Sequence, residues 1–74
     1  MDDFEKKLGR VIADARRGAG LSQEALAFHC KLHPTYISQL ERGLKSPTVR
    51  ALRGIAQAMG TRPSALLLKV EVET

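Results

Sequence analysis

Residues 23–43 read QEALAFHCKLHPTYISQLERG, and this stretch decides the fold because it specifies two short helices and the turn between them. Apolar residues recur there at helical spacing, at Leu26, Ala27, Cys30, Leu32, Ile37 and Leu40. Ala27 and Ile37 are ten residues apart, a separation that lets two helices pack across a short turn. The small side chain of Ala27 allows the helices to approach closely. The pattern predicts a helix-turn-helix.

The exposed face of the second predicted helix carries side chains that can donate hydrogen bonds, and none of them is acidic. They are Thr35, Tyr36, Ser38, Gln39 and Arg42. A helix that enters a groove of double-stranded DNA contacts phosphates and base edges through side chains of this kind. This face therefore indicates a DNA partner.

Charge is distributed unevenly along the chain, whose net charge is +4 and whose pI is about 9.7. From residue 42 to residue 69 there are six basic side chains and no acidic one: Arg42, Lys45, Arg50, Arg53, Arg62 and Lys69. This asymmetry favours a polyanionic partner. The alternative is a basic face that contacts only water.

Length and composition indicate one small domain over residues 1–74. The single cysteine, Cys30, excludes a disulfide within the chain, so packing must supply the stability. No apolar run approaches the roughly 20 residues of a membrane span. The chain opens with Asp2 and Asp3 rather than with the basic residues of a signal peptide, and we expect a cytoplasmic location.

Three further helices flank the helix-turn-helix. A first helix is predicted over residues 3–17, a fourth from Thr48 to about Met59 and a short fifth from Pro63. Ser22 is a good N-cap for the second helix, and Pro34 suits the first position of the third. The tail, residues 69–74, alternates apolar and polar residues and is predicted to be strand-like or frayed. The fold class is all-α.

Three blocks of sequence resemble the phage-repressor/Cro-like (XRE-type) helix-turn-helix regulators. They are LSQEALA at residues 21–27, YISQLERG at 36–43 and SPT at 46–48. The resemblance covers roughly residues 8–68 and implies a compact five-helix lambda-repressor-like domain without enzymatic activity. In size the chain is similar to Cro-type repressors and to the controller proteins of restriction–modification systems.

The resemblance also implies roles for individual residues. Gln23 would start the second helix and bind a phosphate. Base readout would fall to Thr35, Tyr36 and Gln39, with Ser38 alongside, and Gln39 could contact an adenine through two hydrogen bonds. Further phosphate contacts would come from His33, Arg42 and Lys45. Arg16 would pair with Glu41, which makes Glu41 a structural residue.

Two positions depart from the family pattern. Lys31 stands in the turn where many relatives have glycine, and a positive φ at a lysine costs of order 1 kcal/mol. Pro34 stands where many relatives carry a polar base-reading residue. A proline side chain cannot donate a hydrogen bond, so any readout at this position would be steric.

Several residues have a second interpretation. His29, Cys30 and His33 lie close in sequence, but one cysteine without a nearby carboxylate is a poor zinc set, so we expect no metal and no cofactor. Tyr36 could be a core aromatic, although its neighbour Ile37 already occupies the core position. Phe28 either covers the first helix or is exposed.

The C-terminal helix carries more apolar residues than one short helix can bury within the chain. The apolar residues are Leu66, Leu67, Leu68, Val70 and Val72. Leu66, Leu67 and Val70 are therefore predicted at a homodimer interface, and the alternative is that all five pack on the fourth helix. A dimer would place two recognition helices about 34 Å apart on a palindromic operator.

The function predicted from these observations is sequence-specific regulation of transcription through a double-stranded DNA operator. The alternative is an antitoxin that binds a toxin and represses its own operon. Only the short tail would be available to bind the toxin. The residues contain no paired carboxylates, phosphate-binding glycine loop or triad, so we expect no enzyme. The sequence does not reveal the operator, the regulated genes or the sign of regulation.

Overall fold

Five α-helices follow one another in the computed structural model, which describes residues 3–72. They are α1 (Asp3–Gly18), α2 (Gln23–Cys30), α3 (Pro34–Glu41), α4 (Val49–Ala58) and α5 (Pro63–Val72). The described residues contain no strand, and the predicted all-α, five-helix architecture is confirmed. Asp3 and Glu5 lie in the first turn of α1, as its helix dipole favours, whereas Asp2 lies outside the described residues.

One apolar core joins all five helices. Helix α1 packs against α3 and α5, and α2 packs against α3 and α4. The buried residues of this apolar cluster are Leu8, Val11, Ile12, Leu26, Ala27, Ile37, Leu40, Leu52, Ile55, Ala56, Leu66 and Val70. Ala27 and Ile37 are both fully buried, as predicted for the two residues at the crossing of the motif.

The helix ends follow the capping residues in the sequence. Ser22 Oγ accepts a hydrogen bond of 3.0 Å from the Ala25 N–H, and Thr48 Oγ1 accepts one of 3.0 Å from the Ala51 N–H. Pro34 stands in the first turn of α3, where its missing N–H leaves no donor unpaired.

The turn of the motif is a regular left-handed helix end built with a lysine. Lys31 has φ 60° and ψ 40°. Among residues 3–72, no other non-glycine residue has a positive φ. The Leu32 N–H donates to the Ala27 carbonyl at 2.9 Å, closing the hydrogen-bond pattern that usually requires glycine. The predicted departure at Lys31 is therefore accommodated as backbone strain and not as a different turn.

Helix α1 lies unusually close to the last turn of α3. A Cβ atom added to Gly9 would meet the carbonyl oxygens of Leu40 and Glu41, the latter at 2.6 Å. A Cβ atom added to Gly43, which has φ 74°, would meet the Cα atom of Lys6 at 2.9 Å. Glycine at these two positions lets α1 support the end of the third helix directly.

The prediction for the tail was wrong. Helix α5 continues to Val72, so residues 69–72 are helical and not strand-like. The physical reason is that Val70 lies one helical turn after Leu66, and both side chains are buried in the core. Residues 73 and 74 lie outside the described residues. Within residues 3–72, no helix combines the length and the apolar character that a membrane span requires.

Candidate DNA interface

The candidate interface is the face of α3 that points away from the core. Ile37 and Leu40 anchor the helix because their side chains are buried. On its other side Thr35 is exposed and Ser38 and Gln39 are partly exposed. The structure thus places two predicted base readers, Thr35 and Gln39, and the adjacent Ser38 on one surface of one helix.

Tyr36 has both of the properties that the sequence suggested. Its ring packs against the edge of the core, and the residue is partly buried. Because the ring packs against the core, the orientation of the exposed part of the Tyr36 side chain is restrained. Phe28 is 80% exposed, which settles its open assignment in favour of the surface. Its ring meets the imidazole of His29 edge-on at a centroid distance of 5.7 Å.

The N-terminus of α3 is capped by a residue that was predicted only as a phosphate contact. His33 is the N-cap, and its Nδ1 accepts a hydrogen bond of 3.1 Å from the Thr35 N–H. Sequence reasoning missed this role because histidine is not a common N-cap. The available signal was Pro34, since proline at the first helical position puts the cap on the preceding residue.

An ion pair joins α1 to the end of α3. Arg16 Nε lies 2.6 Å from Glu41 Oε2, and its Nη2 donates to Oε1 at 3.0 Å. The two side chains are only 11% and 6% exposed, and Arg16 Nη1 also donates to the Leu21 carbonyl at 2.9 Å. Hydrogen bonding to Glu41 raises the pKa of the Arg16 guanidinium, so this group stays charged. The pairing implied by the family resemblance is confirmed.

Gln23 belongs to the same network. Its Nε2 donates a hydrogen bond of 3.0 Å to Glu41 Oε1, and the residue is partly exposed at the start of α2. The predicted phosphate-binding glutamine is therefore held in place by the residue that holds Arg16. The Arg16 guanidinium, the Glu41 carboxylate and the Gln23 amide thus form one hydrogen-bond network at this corner of the motif.

The basic side chains around α3 are not neutralised by acidic neighbours. Among the described residues, the ion pairs are Arg16–Glu41 and a looser, exposed contact of 3.6 Å between Arg17 and Asp14. The exposed Arg42 and Lys45 take part in neither. The positive charge beyond α3 therefore remains available to a polyanion.

Cys30 is a structural thiol in this arrangement. It is partly buried, its Sγ lies 3.9 Å from the Ala27 carbonyl oxygen, and burial raises the pKa of the thiol. A raised pKa lowers the thiolate fraction at neutral pH, which is the reverse of an activated nucleophile. Within residues 3–72, His, Cys, Asp and Glu side chains form no group that could hold a metal ion.

Two of the three predicted interface residues lie inside the subunit. Leu66 and Val70 are 1% and 2% exposed, so the core of the chain itself uses them, and Leu67 is partly buried. The exposed apolar side chains of α5 are Leu68 and Val72. They border a groove of about 680 Å³ that is lined mainly by apolar side chains, with Asp14, Thr61 and Lys69 also contributing.

Comparison with known proteins agrees with this architecture. Residues 12–66 match the HTH_3 family, described as helix-turn-helix. Control protein C.BamHI of Bacillus amyloliquefaciens is 45% identical over 49 residues, which are 66% of this chain and 60% of the relative. The chain thus spans less than two thirds of the length of that relative.

Solved structures are similar over nearly the whole chain. The restriction-modification controller protein C.AhdI of Aeromonas hydrophila has a TM-score of 0.82 and 33% identity, covering 86% of this chain and 96% of that one. The controller protein C.Esp1396I, solved as a tetramer with its natural 35 base-pair operator, has a TM-score of 0.87 and 27% identity, covering 99% and 96%. The chain belongs to the HTH_3 family, an XRE-type helix-turn-helix family of DNA-binding regulators.

Proposed function

We propose that this protein is a sequence-specific transcriptional regulator that binds a double-stranded DNA operator through α3. The observation that carries the proposal is the exposed, donor-rich face of α3, which has no acidic side chain before Glu41. Glu41 itself is occupied by Arg16 and Gln23. A groove-binding helix needs both this surface chemistry and a rigid support.

Base readout is assigned to Thr35, Tyr36 and Gln39, with Ser38 beside them. The Gln39 amide suits two hydrogen bonds with an adenine, and the Thr35 methyl group suits a thymine methyl. Phosphate contacts are assigned to Gln23, His33, Arg42 and Lys45, all of which have exposed or partly exposed side chains. These contacts fix the register of the protein on the duplex and carry no sequence information.

The operator is expected to be a palindrome bound by a homodimer. Support comes from the exposed Leu68 and Val72 beside the groove between α1 and α5, which a second copy could cover. Leu67 is included in this interface, whereas Leu66 and Val70 would support it from the core. Two copies related by a two-fold axis would present their α3 helices to two half-sites. A DNA partner also favours a cytoplasmic location.

Selection from a random pool of DNA duplexes tests the proposal. The wild-type protein is incubated with the pool at two salt concentrations, and the bound fraction is sequenced. A palindromic motif with half-sites about one helical turn apart supports a dimeric, sequence-reading regulator. Weak binding that disappears at the higher salt without an enriched motif contradicts it, because such binding depends on charge alone.

A further inference from the structure

The first turn of α3 has no backbone donor left for a ligand. Pro34 has no N–H, and the Thr35 N–H donates to His33 Nδ1 at 3.1 Å. The next two N–H groups, of Tyr36 and Ile37, donate to the His33 carbonyl at 3.0 and 3.2 Å. Helix N-termini bind phosphates through free N–H groups, and residues 34–37 of α3 offer none.

The hydrogen bond to His33 Nδ1 indicates which ring nitrogen of the capping imidazole carries the proton. A ring nitrogen that accepts a hydrogen bond carries no proton, so Nδ1 must be bare. An imidazolium has a proton on both nitrogens and could not accept from Thr35. In the capping geometry the ring proton therefore lies on Nε2. The residue is exposed, and Nε2 has no hydrogen-bond partner among residues 3–72.

We propose that His33 is a positioning residue whose two ring nitrogens have separate roles in DNA binding. Nδ1 fixes the first turn of α3, and the Nε2–H donates to a DNA phosphate in place of the missing backbone donors. The proposal rests on the DNA-binding function proposed above. The donor is uncharged, so its contact strengthens binding without releasing a counterion, unlike a contact made by Lys45.

The ring state is measured first, without DNA. Imidazole ¹⁵N shifts of the wild-type protein at pH 7.5 distinguish the two neutral tautomers from the imidazolium, and a His29→Gln variant assigns the signals. The expected result is the Nε2–H tautomer for His33. A proton on Nδ1, in either the other tautomer or the imidazolium, overturns the proposal whether or not the protein binds DNA.

The phosphate contact is measured with His33→Ser. Serine is itself a good N-cap, so the melting temperature should stay near that of the wild type. Affinity should fall roughly three- to tenfold, for operator and for random duplex alike, with an unchanged salt slope. His33→Asn, which also caps and carries an amide donor, should recover part of the affinity and serves as a second variant if serine impairs folding.

The outcomes separate this proposal from the function on which it rests. Wild-type affinity in a folded His33→Ser protein overturns the phosphate contact, and a salt slope lower by about one unit shows a charged contact instead. If the wild-type protein itself binds no DNA, the phosphate role fails together with the proposed function. The ¹⁵N measurement then still decides whether His33 Nδ1 caps α3.

Discussion

Gln23 Nε2 donates a hydrogen bond of 3.0 Å to Glu41 Oε1, and this contact closes the helix-turn-helix at its open end. The first residue of α2 is thereby joined to the last residue of α3, while the turn joins their other ends. Arg16 binds the same carboxylate from α1. Helix α3 is consequently supported at both ends, which restricts the orientation of its exposed face.

Replacing Glu41 should affect folding more than recognition. Glu41→Ala leaves the Arg16 guanidinium buried without its carboxylate, and we expect a loss of about 3 kcal/mol in the free energy of unfolding. Thermal denaturation measures the loss, and DNA titration of the folded fraction measures recognition. Glu41→Gln, which keeps an oxygen acceptor, should lose less stability. An unchanged melting temperature with weakened DNA binding would instead make Glu41 a recognition residue.

The close approach of α1 to α3 predicts a steric effect at Gly9. Gly9→Ala places a methyl group against the carbonyl oxygens of Leu40 and Glu41 and should cost about 1–3 kcal/mol. The matched control is Gly18→Ala, because a Cβ atom there has no neighbour within 4 Å. Both variants are compared by chemical denaturation. Equal stability of the two proteins would show that the helices separate without cost.

The left-handed lysine of the turn predicts a stabilising substitution. Lys31→Gly relieves a strain of order 1 kcal/mol, part of which is lost again to the greater freedom of glycine in the unfolded chain. We expect a small increase in melting temperature. Lys31→Ala is the control, since it removes the charge but keeps the strained φ and should not stabilise. A stabilised alanine variant would assign the effect to charge.

Dimerisation is tested at the exposed face of α5. Leu68→Asp places a charge on an apolar surface and should shift the protein to a monomer in sedimentation equilibrium. Val49→Asp is the matched control, because Val49 is 83% exposed at the start of α4 and does not line this groove. An unaltered dimer for Leu68→Asp, or dissociation by both variants, would place the interface elsewhere.

Lys45 should contribute affinity without specificity. Lys45→Ala removes a positive charge that no described ion pair neutralises. Binding to operator and to random duplex should weaken to the same extent, and the slope of log K against log salt should flatten by about one unit. Arg17→Ala is a suitable control because Arg17 already faces Asp14. A selective loss for the operator would contradict a phosphate role.

The sequence predicted the helices because their signals are local. The stripe from Leu26 to Leu40, the cap at Ser22 and the proline at the start of α3 each act within a few residues. The Arg16–Glu41 pair spans 25 residues, and only the family resemblance indicated it. Local patterns carry no information about such a contact.

The burial of individual α5 residues could not be predicted from their own sequence. Whether an apolar residue of α5 faces the core or solvent depends on the rotation of that helix against α1 and α4, which its own sequence leaves open. Leu66 and Val70 accordingly proved buried, and Leu68 and Val72 exposed. The cap at His33 was missed for a different reason, because its Nδ1 had to be placed against the Thr35 N–H.

The central claim is that the exposed face of α3 reads DNA bases, and Gln39 tests it most directly. Selection from a random duplex pool is carried out in parallel with the wild-type protein and Gln39→Ala. We expect the variant to lose about 1–3 kcal/mol of affinity for the wild-type operator and to relax one position of each half-site, leaving the others unchanged. Identical motifs and affinities for the two proteins would contradict the assignment of α3 as the recognition helix.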